Sequence, residues 1–218
     1  MIKGAIFDMD GLMFDTERLV CNIWQEMMDE NGYKFSIDIF KHTIGLRQDK
    51  TKEFFTSLYG SNFDYDRYKI QSRERFYKLV ESDGVPIKKG LFELLDYLKS
   101  KNIKMAVATS TSSKTTLMNT KNAGVYDYFD SFVCGDDVKN GKPHPEVFLT
   151  AAQRIGVMPS ECVAFEDSIN GIKSALAANM KTVMVPDFLQ PTDEIKSQIS
   201  FLCKSLDEAI EFVEVHKK

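Results

Sequence analysis

The sequence predicts an α/β fold, a parallel sheet covered by helices on both faces and interrupted near its start by an all-helical insertion. Three features carry this expectation. From Pro86 onward, short apolar runs alternate with segments of helical period. Between Asp15 and Asp83 the helical period persists without a convincing strand. The opening run Ile2 to Phe7 reads as a buried strand that stops at two acids, Asp8 and Asp10. Strands alternating with helices imply parallel crossovers, because each crossover must pack its helix back onto the sheet.

In chain order, the opening strand is followed by a helix that Asp15 or Thr16 can cap. Leu19, Val20, Ile23, Trp24, Met27 and Met28 recur on one face of it, and Asn31-Gly32 ends it. Helices are then expected over 37–42, 49–59 and 64–80, with apolar and aromatic residues on one side and charges on the other. The alternating half opens with a helix over 91–101, the strand KMAVATS, a helix over 114–122, the short strand SFVCG and a helix with Pro145 at its first position. The strand ECVAFED, a helix over 169–178 and the strand KTVMVPD follow. The tail SLDEAIEFVEV reads as a last helix, with Ser205 and Glu208 spaced as a capping box. The expected division is 1–14 with 84–218 for the sheet-containing domain and 15–83 for the insertion.

Composition bounds the function. The 218 residues suffice for one sizeable core with a modest insertion, and 43% hydrophobic with 28% charged residues argues against disorder. Twenty-eight Lys and Arg against 32 Asp and Glu give a net charge of -4, without the basic footprint of a nucleic-acid binder. Cys21, Cys134, Cys162 and Cys203 form no C-x-x-C pair and lie in apolar surroundings, which predicts reduced, packed thiols and a cytoplasmic setting. No stretch approaches the roughly 18 apolar residues of a membrane span, so no membrane partner is expected. His42, His144 and His216 have no ligand spacing and are expected at the surface or as caps.

The two acids after the first strand find company at other strand ends. In an open parallel sheet, ligands sit beyond the carboxyl ends of the strands. Asp8 and Asp10 lie at such an end; Thr109 and Ser110 close one further strand, Glu166 and Asp167 another, and Lys142 sits in a loop before a helix. Four carboxylates in one crevice repel unless a cation holds them, and oxygen ligands with a partly open site suit Mg²⁺. One carboxylate could then attack phosphorus as a nucleophile, with Mg²⁺ and Lys142 screening the charges. Thr109, Ser110 and backbone amides at the following helix start could cradle the phosphoryl oxygens. The second acid could protonate the leaving alcohol and then activate water.

The set DMDG, ATS, GKPHP and FEDSINGI, in this order and at these intervals, resembles the haloacid dehalogenase-like hydrolase superfamily, in the branch whose helical cap follows the first strand. The resemblance covers nearly the whole chain. It implies a Rossmann-like three-layer core with a parallel sheet and an inserted α-helical cap. It implies Asp8 as nucleophile, Asp10 as general acid/base, Thr109 as the phosphate-binding hydroxyl and Lys142 as the phosphate-neutralising base. It further implies Mg²⁺ held by Asp8, the Asp10 backbone carbonyl and Asp167, with Glu166 beside or among the ligands. Members acting on phosphate esters keep the acid at the position of Asp10, which points to phosphoryl transfer.

The β-phosphoglucomutase group of this superfamily carries a histidine four residues after the position of Thr16, a lysine before the glycine of the first cap loop and an arginine three residues after that glycine. Val20, Ile44 and Gln48 stand at those places. The sequence looks closer to the sugar-phosphate and pseudouridine-5'-phosphate phosphatases of the same branch, which implies a small phosphomonoester as substrate; a mutase, which the architecture also resembles, and a silent phosphate-binding module that kept the fold are the alternatives. Glu17, Arg47 and Gln48 are the expected cap contacts to substrate, with Arg73 or Arg75 as further candidates. A cap that closes over a crevice needs one chain only, so a monomer is expected.

Overall fold

Four apolar residues, Gly4–Phe7, form β1, and every one of them is buried. Such a strand, apolar on both faces, belongs in the middle of a parallel sheet. The computed structural model, which describes residues 1–44, 46 and 48–216, places it there. The chain divides into two compact units, Met1–Asp15 with Val85–Lys218, and Thr16–Gly84.

The second unit holds α1 (Thr16–Glu30), α2 (Ile37–Lys41), α3 (Gln48–Tyr59) and α4 (Tyr65–Asp83). Ser36 caps α2 through the Ile39 amide, and Asp64 caps α4 through the Arg67 amide at 3.1 Å. Its interior is a set of stacked rings. Trp24 and Phe55 lie nearly parallel with centroids 4.9 Å apart, Phe55 meets Tyr65 at 5.7 Å, and Phe63 stacks on Tyr68 at 4.9 Å.

The first unit continues after the insertion with α5 (Leu91–Ser100), β2 (Lys104–Ala108), α6 (Ser113–Asn122) and β3 (Ser131–Val133). Then come α7 (Glu146–Arg154), β4 (Cys162–Glu166), α8 (Ile169–Ala177), β5 (Lys181–Met184), α9 (Asp193–Gln198), β6 (Phe201–Leu202) and α10 (Ala209–His216). Among the described residues, the strands order as β3-β2-β1-β4-β5-β6, and every pairing is parallel. The core between sheet and helices is built from small and branched residues such as Ile6, Ala106, Ala108, Ala164, Ala151 and Ala175, filled out by Phe148. Phe7 stacks on Phe165 of the neighbouring strand at 4.7 Å.

The segments that leave and re-enter this unit run side by side. Asp15 donates its amide to Pro86, Lys88 donates its amide to Met13, and Phe14 bridges Ile87 antiparallel. Lys88 Nζ lies 2.8 Å from Asp187 Oδ1 and 3.7 Å from Asp15 Oδ1, joining both segments to the loop after β5.

Three details differ from expectation. The strand β6 and helix α9 were not foreseen: β6 has two residues and α9 six, too short to show a period. The tail helix is split, a 3-10 turn over Leu206–Glu208 preceding α10. Glu208 reaches back to the Lys204 amide at 2.8 Å rather than to that of Ser205, so the capping box does not close as spaced. The four cysteines are buried free thiols, and burial pushes Cys162 and Cys203 up to about 12, far from reactive thiolates.

Candidate active site

Parallel pairing in register brings the strand ends to one edge. Phe7 pairs with Val107 on one side and Phe165 on the other, and Ala108 with Val133, so the residues that follow β1, β2 and β4 emerge together. The ladder runs slightly beyond the strands: Asp8 donates its amide to Phe165, Thr109 to Val133 and Val185 to Glu166. Asp8, Thr109, Glu166 and Asp167 are all buried there.

Lys142 enters this edge from the loop before α7. Its ammonium lies 2.5 Å from Asp8 Oδ1 and 2.6 Å from Glu166 Oε1, and 4.9 Å from the centre of the Phe148 ring. The lysine side chain is only 7% exposed. Burial works against its charge, but the carboxylates of Asp8 and Glu166 more than offset this and hold Lys142 above its ordinary value. Burial pushes the Asp8 carboxyl up to about 8, Lys142 opposing and the charges of Glu166 and Asp10 adding. Lys142 therefore keeps its proton.

Glu166 is held from both sides. While Oε1 accepts from Lys142, Oε2 accepts from the amide and hydroxyl of Ser168 at 2.8 and 2.9 Å. Ser168 also caps α8 by accepting from the Gly171 amide at 3.0 Å. A Cβ at Gly171 would overlap the Glu166 carboxylate, so the glycine makes room for it. Gly11, with φ of 83°, does the same for Asp167: its backbone is left-handed and a Cβ would collide with that carboxylate. The turn around it is tight, Met13 and Phe14 both donating to the Met9 carbonyl.

The buried carboxylates of Asp8, Glu166 and Asp167 have oxygens within 4.8 Å of one another, a donor set that fits a hard divalent cation. A cation here would offset the burial that, with the smaller contributions of the Glu166 and Asp10 charges, favours the proton on Asp8. Asp187 and Asp167 also bring carboxylate oxygens within 4.8 Å, so the Lys88 ion pair adjoins the cluster.

Asp10, half-buried, accepts from the Thr111 hydroxyl on Oδ2 at 2.6 Å. The Thr111 amide in turn donates to Thr109 Oγ1 at 3.1 Å. The amide cradle expected after β2 is narrower than supposed, since the Ser113 amide is turned onto Asp136 at 2.9 Å. Among the described residues, no acceptor meets the amide of Ser110, whose side chain is exposed.

The sequence-derived residues thus fall into two sets. Asp8, Asp10, Thr109, Ser110, Lys142, Glu166 and Asp167 share the sheet edge. Glu17 stands in the first turn of α1 and Gln48 is the first residue of α3, both in the helical unit, while Arg47 lies outside the described residues. Arg75, a lesser candidate, is engaged by Glu30 at 2.8 Å. Thr111, Ser168 and Lys88 were missed. Thr111 sits in a run of five hydroxyl residues from Thr109 to Ser113 whose roles no spacing distinguishes.

The family model described as haloacid dehalogenase-like hydrolase matches residues 5–185. A phosphorylated carbohydrates phosphatase of Thermotoga maritima is 32% identical over 84% of this chain and 84% of its own length. The fructose-1-phosphate phosphatase YqaB of Escherichia coli is 32% identical over 84% of this chain and 95% of its own. The crystal structure of a β-phosphoglucomutase from Clostridium difficile superposes with a TM-score of 0.76 at 25% identity, covering 99% of this chain and 96% of that one. With the matched stretch running from β1 to the end of β5 and containing every residue of the acid cluster, this chain belongs to the haloacid dehalogenase-like hydrolases.

Proposed function

We propose that this chain hydrolyses small phosphomonoesters, sugar phosphates or nucleoside monophosphates, through a phosphorylated Asp8. The observation that carries the reading is the buried Asp8 carboxylate in contact with Lys142, with a second acid, Asp10, two residues on and oriented by Thr111. The phosphatase names of two relatives support it.

Mg²⁺, held by Asp8, Asp167 and the Asp10 carbonyl with Glu166 beside them, would supply the positive charge that lets two anions approach. Asp8 forms a bond to phosphorus as the bond to the leaving oxygen breaks, and Asp10 gives that oxygen its proton. Lys142, fixed by Glu166, balances the phosphoryl charge, while Thr109 and the Ser110 amide donate to its oxygens. Asp10 then takes a proton from water, whose oxygen bonds to phosphorus as the link to Asp8 breaks, giving inorganic phosphate. Glu166 acts in this scheme as the brace of Lys142, given that both of its oxygens already accept hydrogen bonds. We assign the choice among substrates to the helical unit through Glu17, Arg47 and Gln48. A reducing, cytoplasmic setting suits the four buried thiols, and a monomer suffices for this chemistry.

The test is phosphate release from a panel of sugar and nucleoside monophosphates with and without Mg²⁺, for the native chain and Asp8→Asn. Mg²⁺-dependent release that disappears in the variant is expected; release unchanged in Asp8→Asn would remove the nucleophile. A phosphosugar mutase is the second reading, favoured by the fold shared with β-phosphoglucomutase. β-Glucose 1-phosphate with a bisphosphate activator separates the two, glucose 6-phosphate marking a mutase and free phosphate a phosphatase.

A further inference from the structure

We infer that Thr111 is a positioning residue that locks the acid/base Asp10 and the phosphate-binding Thr109 into one frame. The inference rests on the phosphoryl-transfer reading above. Its basis is a pair of hydrogen bonds made by one residue: the Thr111 hydroxyl donates to Asp10 Oδ2 at 2.6 Å, and the Thr111 amide donates to Thr109 Oγ1 at 3.1 Å. The first makes Oδ2 an acceptor, so the proton that Asp10 passes to the leaving oxygen and later regains from water is carried on Oδ1. The second occupies a lone pair of the Thr109 hydroxyl, which leaves its hydrogen to be donated to a phosphoryl oxygen.

The frame is itself braced. The Thr111 carbonyl accepts from the Gly135 amide at 2.8 Å, and a Cβ at residue 135 would run into the Ser110 carbonyl, so the loop after β3 packs directly against the backbone of 110–111. Thr111 thereby ties the turn after β1 to the ends of β2 and β3. General acid catalysis needs the proton within hydrogen-bonding reach of the leaving oxygen, and a carboxyl free to rotate about its side chain loses that placement part of the time. The cost falls only on leaving groups that need a proton. An alkoxide must be protonated as the phosphorus–oxygen bond breaks, whereas p-nitrophenolate departs as the anion.

The experiment compares kcat/KM for benzyl phosphate and p-nitrophenyl phosphate in the full chain with Mg²⁺, for the native protein, Thr111→Val and Thr111→Ser. Benzyl phosphate requires proton donation, p-nitrophenyl phosphate does not, and the two have similar bulk. In Thr111→Val, kcat/KM for benzyl phosphate is expected to fall about ten-fold further than that for p-nitrophenyl phosphate, while Thr111→Ser keeps the native ratio within about two-fold. The ratio is internal to each sample, so partial misfolding cancels, and Thr111→Ala replaces the valine variant if that does not fold. Equal loss on both substrates, or no loss on either, would overturn the role of Thr111. A native chain that releases phosphate from neither substrate, nor from any sugar or nucleoside monophosphate of the panel, would overturn the hydrolase reading instead.

Discussion

At the carboxyl edge of the sheet Asp8, Glu166 and Asp167 are buried, the first two in contact with Lys142, whereas inside the helical unit Trp24, Phe35, Phe55, Phe63 and Tyr65 are buried and stacked ring on ring. Both sets of side chains are buried, and burial acts on them with opposite energetic sign. Stacked aromatics gain from burial, by about 0.5–1.5 kcal/mol per pair beyond the area they cover. Clustered carboxylates lose by burial and persist because other contacts hold them in place. The difference teaches where each unit is optimised: the helical unit for standing, the sheet edge for reacting. Substitutions at the two places should therefore separate activity from stability.

The largest separation is expected at Asp8. Asp8→Asn removes the proposed nucleophile, and phosphate release should fall by at least about a thousand-fold, measured as phosphate produced per minute. Because burial raises the native Asp8 carboxyl to about 8, its charge destabilises the metal-free chain in alkaline solution, and the asparagine variant should melt no lower than the native protein at pH 9. An Asp8→Asn protein that melts far below the native one would mean that the edge is built for stability after all.

Lys142→Met comes next and should lose on both counts. Two buried carboxylates lose their ammonium, a change that costs about 3–5 kcal/mol in buried pairs, or roughly 10 °C in melting temperature for a chain of this size. Turnover should drop about a hundred-fold at saturating substrate. In the helical unit, Phe55→Ala removes a side chain only 2% exposed that stacks on Trp24 and Tyr65. Denaturant unfolding should report a loss of about 3–5 kcal/mol for that unit.

The same contrast has a pH signature. The ordinary Asp value is 3.8 and Asp8 stands at about 8, so the folded chain retains a proton that the unfolded chain has released across that window. The stability contributed is complete below the lower value and is lost as pH rises through the upper one. Without divalent cations the melting temperature should decline by several degrees from pH 5 to pH 8, and Asp8→Asn should flatten the decline. Millimolar Mg²⁺ should raise the melting temperature more at pH 8 than at pH 5, since it stabilises the ionised carboxylates.

How much of this was legible in the sequence follows the same division. Asp8, Thr109 and Glu166 could be placed because parallel strands deliver their next residues to one edge, and an apolar run that stops at a polar residue marks that edge. Thr111 was hidden because its role depends on the χ1 angle and on a partner 101 residues away in sequence. Ser168 and Gly171 stood in a recognised motif, yet their service to Glu166 is a matter of side-chain packing that no spacing encodes. In the helical unit the periodicity gave the helices, with α4 running to Asp83 where 80 was expected. It could not give the ring stacking, since helical period fixes which face is apolar but not how faces interlock.

The smallest expected effect tests the helical unit's part in selection. Gln48, exposed at the start of α3, takes no share in the aromatic interior. Gln48→Ala should leave stability within about 0.5 kcal/mol, as exposed substitutions generally do. If the residue contacts substrate, the order of kcat/KM across the panel should change by several-fold while p-nitrophenyl phosphate, which offers no sugar hydroxyls, stays within two-fold. One lost hydrogen bond to a neutral group is worth about 0.5–1.5 kcal/mol, which sets that scale. An unchanged ranking would move selection away from Gln48, and Arg47→Ala and Glu17→Gln would then be the variants that locate it.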